Sequence, residues 1–285
     1  MSKRSPAPKM ASDEGLEAVA DSGSSLRSGT LSRGLAIMDV LIPAGRALSL
    51  AEIAGEVDLD QSTTLRLLRA LEEARQLIRV GDGKRYLASP KAMRPLPLMH
   101  PLEQLRREAD PIIRELAAKV SKTVVLVAYL GTERVVVDIM QSAGSLSPYY
   151  SNWLQGPLHA SGPGKALLLA MGPARRKALL GAAPYATYTS STITSEAALQ
   201  ADLELAASRG YSLVRDEFYD GLSALSANFH SWDRRAVGCI ALTGHSADFS
   251  DEAVDQMAAE LLACARLMPL QVSSLNLLDQ LSEAY

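Results

Sequence analysis

The chain has 285 residues, of which 47% are hydrophobic and 21% charged, so it is long enough for two globular domains with buried cores. A net charge of −3 argues against a uniformly basic nucleic-acid binder, and two cysteines are too few for a disulfide framework. The sequence has no run of 18 apolar residues and no signal peptide, so we expect a cytoplasmic protein.

Composition divides the chain into five segments. Residues 1–28 are rich in Ser, Gly, Ala and Pro, which predicts a disordered tail. Pro95 and Pro97 mark the end of a first domain, predicted at 29–94. A connector helix over 95–120, a second domain over 121–270 and a C-terminal tail over 271–285 are predicted to follow. Residues 27–95 carry 11 Lys and Arg against 8 Asp and Glu, whereas residues 96–285 carry 15 against 20, which fits a DNA-binding module joined to a different kind of domain.

The first domain begins with two predicted helices. Residues 31–42 form an amphipathic pattern that ends at Pro43, with Leu35, Met38 and Leu41 on the apolar side. A second helix starts at Ser49, since Ser49 with Glu52 three residues later is a capping-box pattern.

A tight turn and a third helix complete a helix-turn-helix pattern. Asp58 stands in the turn, where it can adopt the left-handed conformation, and Asp60 can cap the next helix. Apolar spacing places one set of side chains on the core side of that helix: Thr64, Leu67, Leu68 and Leu71. The opposite side carries Ser62, Thr63, Arg66, Arg69 and Glu73. Short polar side chains followed by arginines on an exposed face suit a helix laid in the major groove of DNA.

A β-hairpin is predicted after the third helix. Residues 77–80 and 85–87 are short apolar runs on either side of a Gly-Asp-Gly-Lys turn. Helix, helix-turn-helix and hairpin is the order of a winged helix-turn-helix, whose wing rests on phosphates. The DNA-binding candidates are therefore Gln61, Ser62, Thr63, Thr64, Arg66, Arg69, Lys84 and Arg85. The alternative is a small helical domain with a solvated hairpin.

The second half predicts an α+β domain. A long amphipathic helix starts at Pro101 and reaches Val120, and Pro111 inside it predicts a kink or a division into two helices. Strands are predicted at 123–130, 134–140, 211–214 and 237–243, and helices at 164–171, 195–209 and 249–267. The first of these helices is expected to continue or restart after Pro173. Cys239 and Cys264 are expected in cores as small apolar residues.

Residues 27–268 resemble the IclR-type bacterial transcriptional regulators. Three segments carry the resemblance: the helix-turn-helix over 49–68, the sequence Pro-Leu-His-Ala-Ser-Gly-Pro-Gly-Lys-Ala over 157–166, and Glu-Phe-Tyr-Asp-Gly over 217–221. The resemblance implies a winged helix-turn-helix, a connector helix and a GAF-like effector-binding domain. It also implies a homodimer or homotetramer that binds a palindromic operator and responds to a small metabolite, often a carboxylate.

The resemblance implies an effector site around the loop before residue 164, whose backbone amides can hold an effector's oxygens. The candidates are Tyr149, Trp153, Leu158, His159, Ser161, Gly162, Pro163, Asp216, Glu217, Ala224, Cys239, Ala241 and Thr243. Trp153 and Ala241 depart from the pattern of relatives that bind very small acids. The aromatic cluster Tyr149, Tyr150 and Trp153 is either the wall of a pocket for a ring-bearing effector or a subunit contact.

Other chemistry is less well supported. His159 either orients an effector carboxylate or holds a loop, and Asp216 with Glu217 is either an acid–base pair or a structural turn. The four histidines show no metal-ligand spacing, Ser161 lacks a nucleophile-elbow context and Lys165 lacks the phosphate-loop pattern. We therefore predict no catalytic, metal or cofactor site. The sequence predicts a DNA-binding regulator that responds to a small organic acid, aromatic as one option, from a catabolic pathway. An enzyme acting on a small carboxylate and a structural DNA-binding factor are the alternatives.

Overall fold

A computed structural model describes residues 29–92, 98–142, 154 and 156–284. The chain divides into two compact units, Met1–Pro95 and Leu96–Tyr285. The predicted tail over 1–28, the boundary prolines and the aromatic cluster at 149–153 lie outside the described residues.

The first unit contains three helices and a small sheet. Its elements are α1 (Thr30–Ala44), β1 (Leu48–Ser49), α2 (Leu50–Glu56), α3 (Gln61–Glu73), β2 (Leu77–Val80) and β3 (Arg85–Ala88). The three strands form an antiparallel sheet in the order β1-β3-β2. This is the predicted winged helix-turn-helix arrangement.

The caps of the helix-turn-helix form as predicted. The Ser49 hydroxyl accepts a hydrogen bond from the Glu52 backbone N–H, and the Glu52 carboxylate accepts one from the Ser49 N–H at 2.8 Å. These bonds, with Arg46, lower the pKa of Glu52 to about 2. Asp58 adopts the left-handed conformation, with φ of 51°, and Asp60 caps α3.

The apolar side of α1 differs from the prediction. Met38 and Leu41 are buried, but Leu35 is 55% exposed and Ile37 takes its place in the core. Pro43 lies inside the last turn, and the helix ends at Gly45, whose φ is 61°. Pro43 has no N–H to donate to the carbonyl oxygen four residues earlier, and the helix ends directly after it.

The second unit is a five-stranded antiparallel sheet with helices on both faces. Its strands are β4 (Thr123–Leu130), β5 (Glu133–Met140), β6 (Ser212–Arg215), β7 (Leu222–His230) and β8 (Ala236–His245), in the order β5-β4-β8-β7-β6. The helices are α4 (Pro101–Val120), α5 (Gly162–Leu169), α6 (Pro173–Leu180), α7 (Glu196–Arg209), α8 (Asp251–Gln271) and α9 (Leu275–Ala284).

Two apolar layers enclose this sheet. Side chains of α4, α8 and α9 pack on one face, and α5 packs on the other, with α7 against its outer side. The helix α4 runs unbroken through Pro111, and its apolar side is covered within this unit. Cys239 and Cys264 are both buried, as predicted.

Two elements of this unit were not predicted. The strand β7 was missed because its residues Ala224, Ser226, Ala227 and Asn228 have low strand propensity. The second unpredicted element is α9, in the segment 271–285 that was predicted to be a tail. Its residues Leu275 and Leu278 are fully buried in the core.

No single helix among the described residues is both long and apolar enough to span a membrane. The bent pair of α8 and α9 meets the length and composition criteria together, and both helices contribute buried side chains to the core.

Candidate functional site

The start of α3 is a rigid polar surface. The Asp60 carboxylate accepts hydrogen bonds from the Thr63 backbone N–H at 2.8 Å and from the Ser62 hydroxyl at 2.6 Å. These bonds hold the pKa of Asp60 well below its usual range. These bonds fix the position at which the helix begins, and a helix that reads base edges requires a defined start.

Most predicted DNA-binding residues of α3 face solvent. Gln61, Ser62, Arg66 and Arg69 are exposed and Thr63 is half-buried. Within the described part of the chain, neither Arg66 nor Arg69 forms an ion pair. Both guanidinium groups can therefore bind phosphate or a guanine edge without first breaking an internal salt bridge.

Thr64 is a correction to the predicted set. Its side chain is fully buried, and its hydroxyl donates a hydrogen bond to the Asp60 carbonyl oxygen at 2.9 Å. The same helical spacing that exposes Thr63 turns Thr64 toward Leu67 and Leu68, so it belongs to the core rather than to a DNA surface.

The two hairpin cations have different environments. Lys84 lies in the β2–β3 turn with its side chain 83% exposed, 3.4 Å from Asp82. Arg85 already lies in β3, where its Nη1 donates to the Ala47 carbonyl at 3.1 Å and lies 3.7 Å from Glu52. Lys84 is therefore the freer of the two to contact a phosphate.

The strand register brings several predicted effector residues together. In the β7–β8 pair, Ala224 faces Thr243, Ser226 faces Ala241 and Asn228 faces Cys239. All of these except Asn228 are buried, on the sheet face that α5 covers. Gly162 packs directly above, since a Cβ there would lie 2.6 Å from the Ser226 hydroxyl and 3.2 Å from the Ala224 Cβ.

Ser226 was not predicted from the sequence. Its hydroxyl is fully buried and has no hydrogen-bond partner among the described residues. An unpaired buried hydroxyl costs on the order of 1–3 kcal/mol, so a ligand oxygen or amide at this position would be stabilising. The signal was hidden because β7 itself was missed.

The loop before α5 is held by side chains. The Ser161 hydroxyl accepts hydrogen bonds from the Gly164 N–H and from Arg134 Nη1, each at 3.2 Å, and Arg134 Nη2 donates to the Leu154 carbonyl at 3.0 Å. The Lys165 N–H bonds the Ser161 carbonyl and Pro163 has no N–H, so few amides at this helix start are left for an anion. Arg134, buried on β5, instead brings positive charge to this helix start.

A buried ion-pair cluster lies beside this loop. Lys165 is fully buried, and its Nζ lies 2.7 Å from Asp202 Oδ2 of α7 and 2.6 Å from Glu217 Oε1. Glu217 Oε2 has no hydrogen-bond partner among the described residues. Burial raises the pKa of Glu217, and the Lys165 ammonium only partly opposes this shift.

His159 and Asp216 have structural partners. His159 Nε2 lies 2.9 Å from the Ala186 carbonyl oxygen, and burial together with Lys165 lowers its pKa, so a neutral ring donates this hydrogen bond. Asp216 has φ of 56° and its Oδ1 accepts from the Gly221 N–H and the Ser246 hydroxyl. The contacts observed for these two residues are structural: His159 holds a loop and Asp216 holds a turn.

An aromatic group lies among the described residues close to this loop. The rings of His159 and Tyr185 are 5.2 Å apart, and those of Tyr188 and Phe218 are 4.9 Å apart with edge-to-face geometry. These residues come from three separate segments, so their clustering was not evident from spacing. Leu158 and Pro163 flank the same loop, half-buried and buried respectively.

The first unit is a winged helix-turn-helix in which Arg66 and Arg69 form no ion pair among the described residues. The second unit is a sheet domain with buried polar groups under one helix. Together they define the class of a ligand-responsive transcriptional regulator. The chain matches the profile of the IclR helix-turn-helix domain over residues 30–80 and that of the bacterial transcriptional regulator IclR C-terminal domain over 101–269. The chain belongs to the IclR family. It is a DNA-binding regulator modulated by an effector.

Individual proteins that are similar to the chain are regulators of the same family. The chain is 26% identical over 243 residues to the transcriptional repressor IclR of Escherichia coli K12, covering 85% of this chain and 89% of that protein. Two solved structures share the fold at 20% identity. One is an IclR-type regulator from Silicibacter, with TM-score 0.71 and coverage of 86% and 96% of the two chains. The other is an IclR homologue from Microbacterium hydrocarbonoxydans in complex with 4-hydroxybenzoate, with TM-score 0.68 and coverage of 84% and 99%.

Proposed function

We propose that this regulator binds a palindromic operator as a homodimer or homotetramer and that a small organic acid from a catabolic pathway changes that binding. The observation that supports DNA binding is that Arg66 and Arg69 on α3 are exposed and form no ion pair with any described residue. Ser62 on α3 and Lys84 in the hairpin turn are also exposed, so base contacts from α3 and phosphate contacts from the hairpin are both available. Action on DNA in a bacterium implies a cytoplasmic location.

The effector site lies on the sheet face beneath α5 in this proposal. Ser226 supplies a hydroxyl that has no partner among the described residues, Thr243 supplies one that already donates to the Ser223 carbonyl oxygen at 3.2 Å, and Arg134 supplies positive charge at the N-terminal end of α5. The 4-hydroxybenzoate complex of the Microbacterium homologue is consistent with an aromatic acid as the effector class.

Regulation without catalysis is the second part of the proposal. The carboxylates of Asp216 and Glu217 hold a turn and an ion pair, and His159 holds a loop. None of the three combines with a nucleophile, so an enzyme acting on a small carboxylate has no favouring observation. We expect α4 to transmit effector binding to the DNA-binding unit, because it is the first element after the boundary between the units.

A band-shift assay with the DNA upstream of the chain's own gene tests the DNA part. We expect binding at moderate salt that weakens steeply as salt rises, because phosphate contacts release counterions. No specific shift over a scrambled fragment would remove the regulator proposal. A thermal-shift screen of aliphatic and aromatic acids then tests the effector class, since a ligand of the folded state raises the unfolding midpoint.

A further inference from the structure

A separate cleft lies between α6 and α7, away from the sheet face. Its volume is about 250 Å³, near the lower end of the roughly 300–1,000 Å³ of small-molecule pockets. Ten residues line it: Pro173, Ala174, Arg176, Lys177, Leu180, Tyr185, Glu196, Leu199, Gln200 and Leu203. None of the predicted effector residues is among them.

The floor of the cleft is apolar. Leu199 and Leu203 are 2% exposed and the Tyr185 ring is 9% exposed, and all three belong to one cluster with Leu168 of α5. The floor is therefore part of a packed core rather than a mobile surface. A flat hydrocarbon or aromatic body would bury its own apolar surface there at a gain of about 25 cal/mol per Å².

The rim of the cleft offers hydrogen-bond donors with positive charge. Arg176 is held in place because its Nε donates to the carbonyls of Leu168 at 2.6 Å and Met171 at 2.8 Å. Its two Nη atoms have no partner among the described residues. Lys177 has a 75% exposed side chain and its ammonium is 3.9 Å from Glu196, too far for a tight ion pair.

Tyr185 adds a third donor. Its hydroxyl has no hydrogen-bond partner in the described part of the chain, and burial together with Glu196 raises its pKa, so it stays protonated. The cleft is lined by the cations Arg176 and Lys177, the anion Glu196 and the Tyr185 hydroxyl, so its net charge is positive. Donors of this kind favour a carboxylate, and a fixed guanidinium can bind it with two parallel hydrogen bonds.

We propose that the α6–α7 cleft is a second small-molecule site, which binds a monocarboxylate with an apolar body of about six carbons. The carboxylate lies against Arg176, Lys177 and Tyr185, and the apolar body lies on Leu199 and Leu203. This site is distinct from the effector site proposed beneath α5, and its existence does not depend on DNA binding.

Calorimetric titration of the full chain with benzoate and with hexanoate tests the proposal, with benzyl alcohol as the uncharged probe. We expect both acids to bind and benzyl alcohol to bind at least tenfold more weakly. Tyr185→Phe removes only the hydroxyl and is expected to weaken benzoate binding about fivefold, as for the loss of one hydrogen bond.

Paired variants assign the binding to the cleft. Gln200→Trp fills the cleft from its rim and is expected to weaken benzoate at least tenfold, whereas Ala201→Trp places the same ring at an exposed position about 100° further around α7 that does not line the cleft. Because benzoate could also enter the site proposed beneath α5, Thr243→Val reports that site: benzoate binding that survives in Thr243→Val and is lost in Gln200→Trp belongs to the cleft. Absence of acid binding, equal binding by the two tryptophan variants, or loss of all benzoate binding in Thr243→Val overturns the proposal. A band-shift with each variant reports DNA binding separately.

Discussion

Charged residues of this regulator lie in two contrasting environments. Lys165 is fully buried with two carboxylates around it, and desolvation of such a cluster costs several kcal/mol that close pairing must offset. Arg66, by contrast, is exposed and unpaired among the described residues. The first arrangement is costly to disturb and holds segments together, whereas the second leaves a charge free for an external partner.

Glu217→Gln is expected to change how stability depends on pH. The folded pKa of Glu217 is raised, so its stabilising contribution is present at acid pH and is lost as the pH rises through that folded pKa. Glutamine stays uncharged, so the stability of the variant relative to that of the wild type should increase as the pH rises from 4.5 through the folded pKa of Glu217. Urea unfolding across this range measures the difference, and Glu133→Gln, at an exposed glutamate of β5, is the control. A difference that is the same at every pH contradicts the prediction.

Arg66→Ala is expected to weaken operator binding by about tenfold, which corresponds to the roughly 1–3 kcal/mol of one arginine contact to DNA. The thermal midpoint should not change, because the side chain has no internal partner in the described structure. Fluorescence anisotropy at fixed ionic strength measures the effect. Arg175→Ala removes the same charge from an exposed position of α6, so equal weakening in both variants would mean that only net charge matters.

Elements of the fold are stabilised by packing more than by local propensity. The helix α9 lies within the stretch predicted to be a C-terminal tail, 271–285, yet it covers one face of the sheet together with α4 and α8. Isolated helices of its ten residues are marginal in water, so α9 depends on the apolar surface that it buries.

Leu278→Ala is expected to destabilise the second unit by about 3 kcal/mol, because Leu278 is fully buried and the shortened side chain leaves a cavity. The adjacent Leu277 is 43% exposed, so Leu277→Ala should cost less than about 0.5 kcal/mol. Urea unfolding of both variants makes the comparison. Similar costs at the two positions would show that α9 does not pack in solution as described.

The two units have separate apolar cores, and that of the second unit consists of several clusters. One gathers around Ile37, Leu41, Ile53 and Leu68 in the first unit, and the other lies on the two faces of the five-stranded sheet. Each unit therefore has its own stability, which allows the effector domain to remain folded while the DNA-binding domain opens.

Ile53→Ala is expected to destabilise only the first unit, by about 2–5 kcal/mol, and to reduce DNA binding with it. Hydrogen exchange should become faster in residues 30–88 and stay unchanged in the strands of the second unit. Leu126→Ala, a fully buried position of β4, is the reciprocal variant and should produce the opposite pattern. Faster exchange in both units from either variant would mean that the cores unfold together.

The sequence by itself determined the elements whose signals are local. The capping box at Ser49, the cap at Asp60, the hairpin turn and the long helix from Pro101 follow from residues a few positions apart. The exposed face of α3 also follows from its spacing, and the family followed from three short motifs in order. The same spacing placed Thr64 on the core side, where it is buried, so its place among the DNA-binding candidates was the error and not the spacing.

Only the tertiary structure decided which distant residues meet. The cluster of Lys165, Asp202 and Glu217 joins α5, α7 and the turn before β7, and the contact of Gly162 with Ser226 depends on a strand of weak propensity. Strand register and helix packing bring these groups together, and both are set by the sum of many apolar contacts across the domain. No single stretch of sequence contains that sum, so the effector-side chemistry became visible only in the fold.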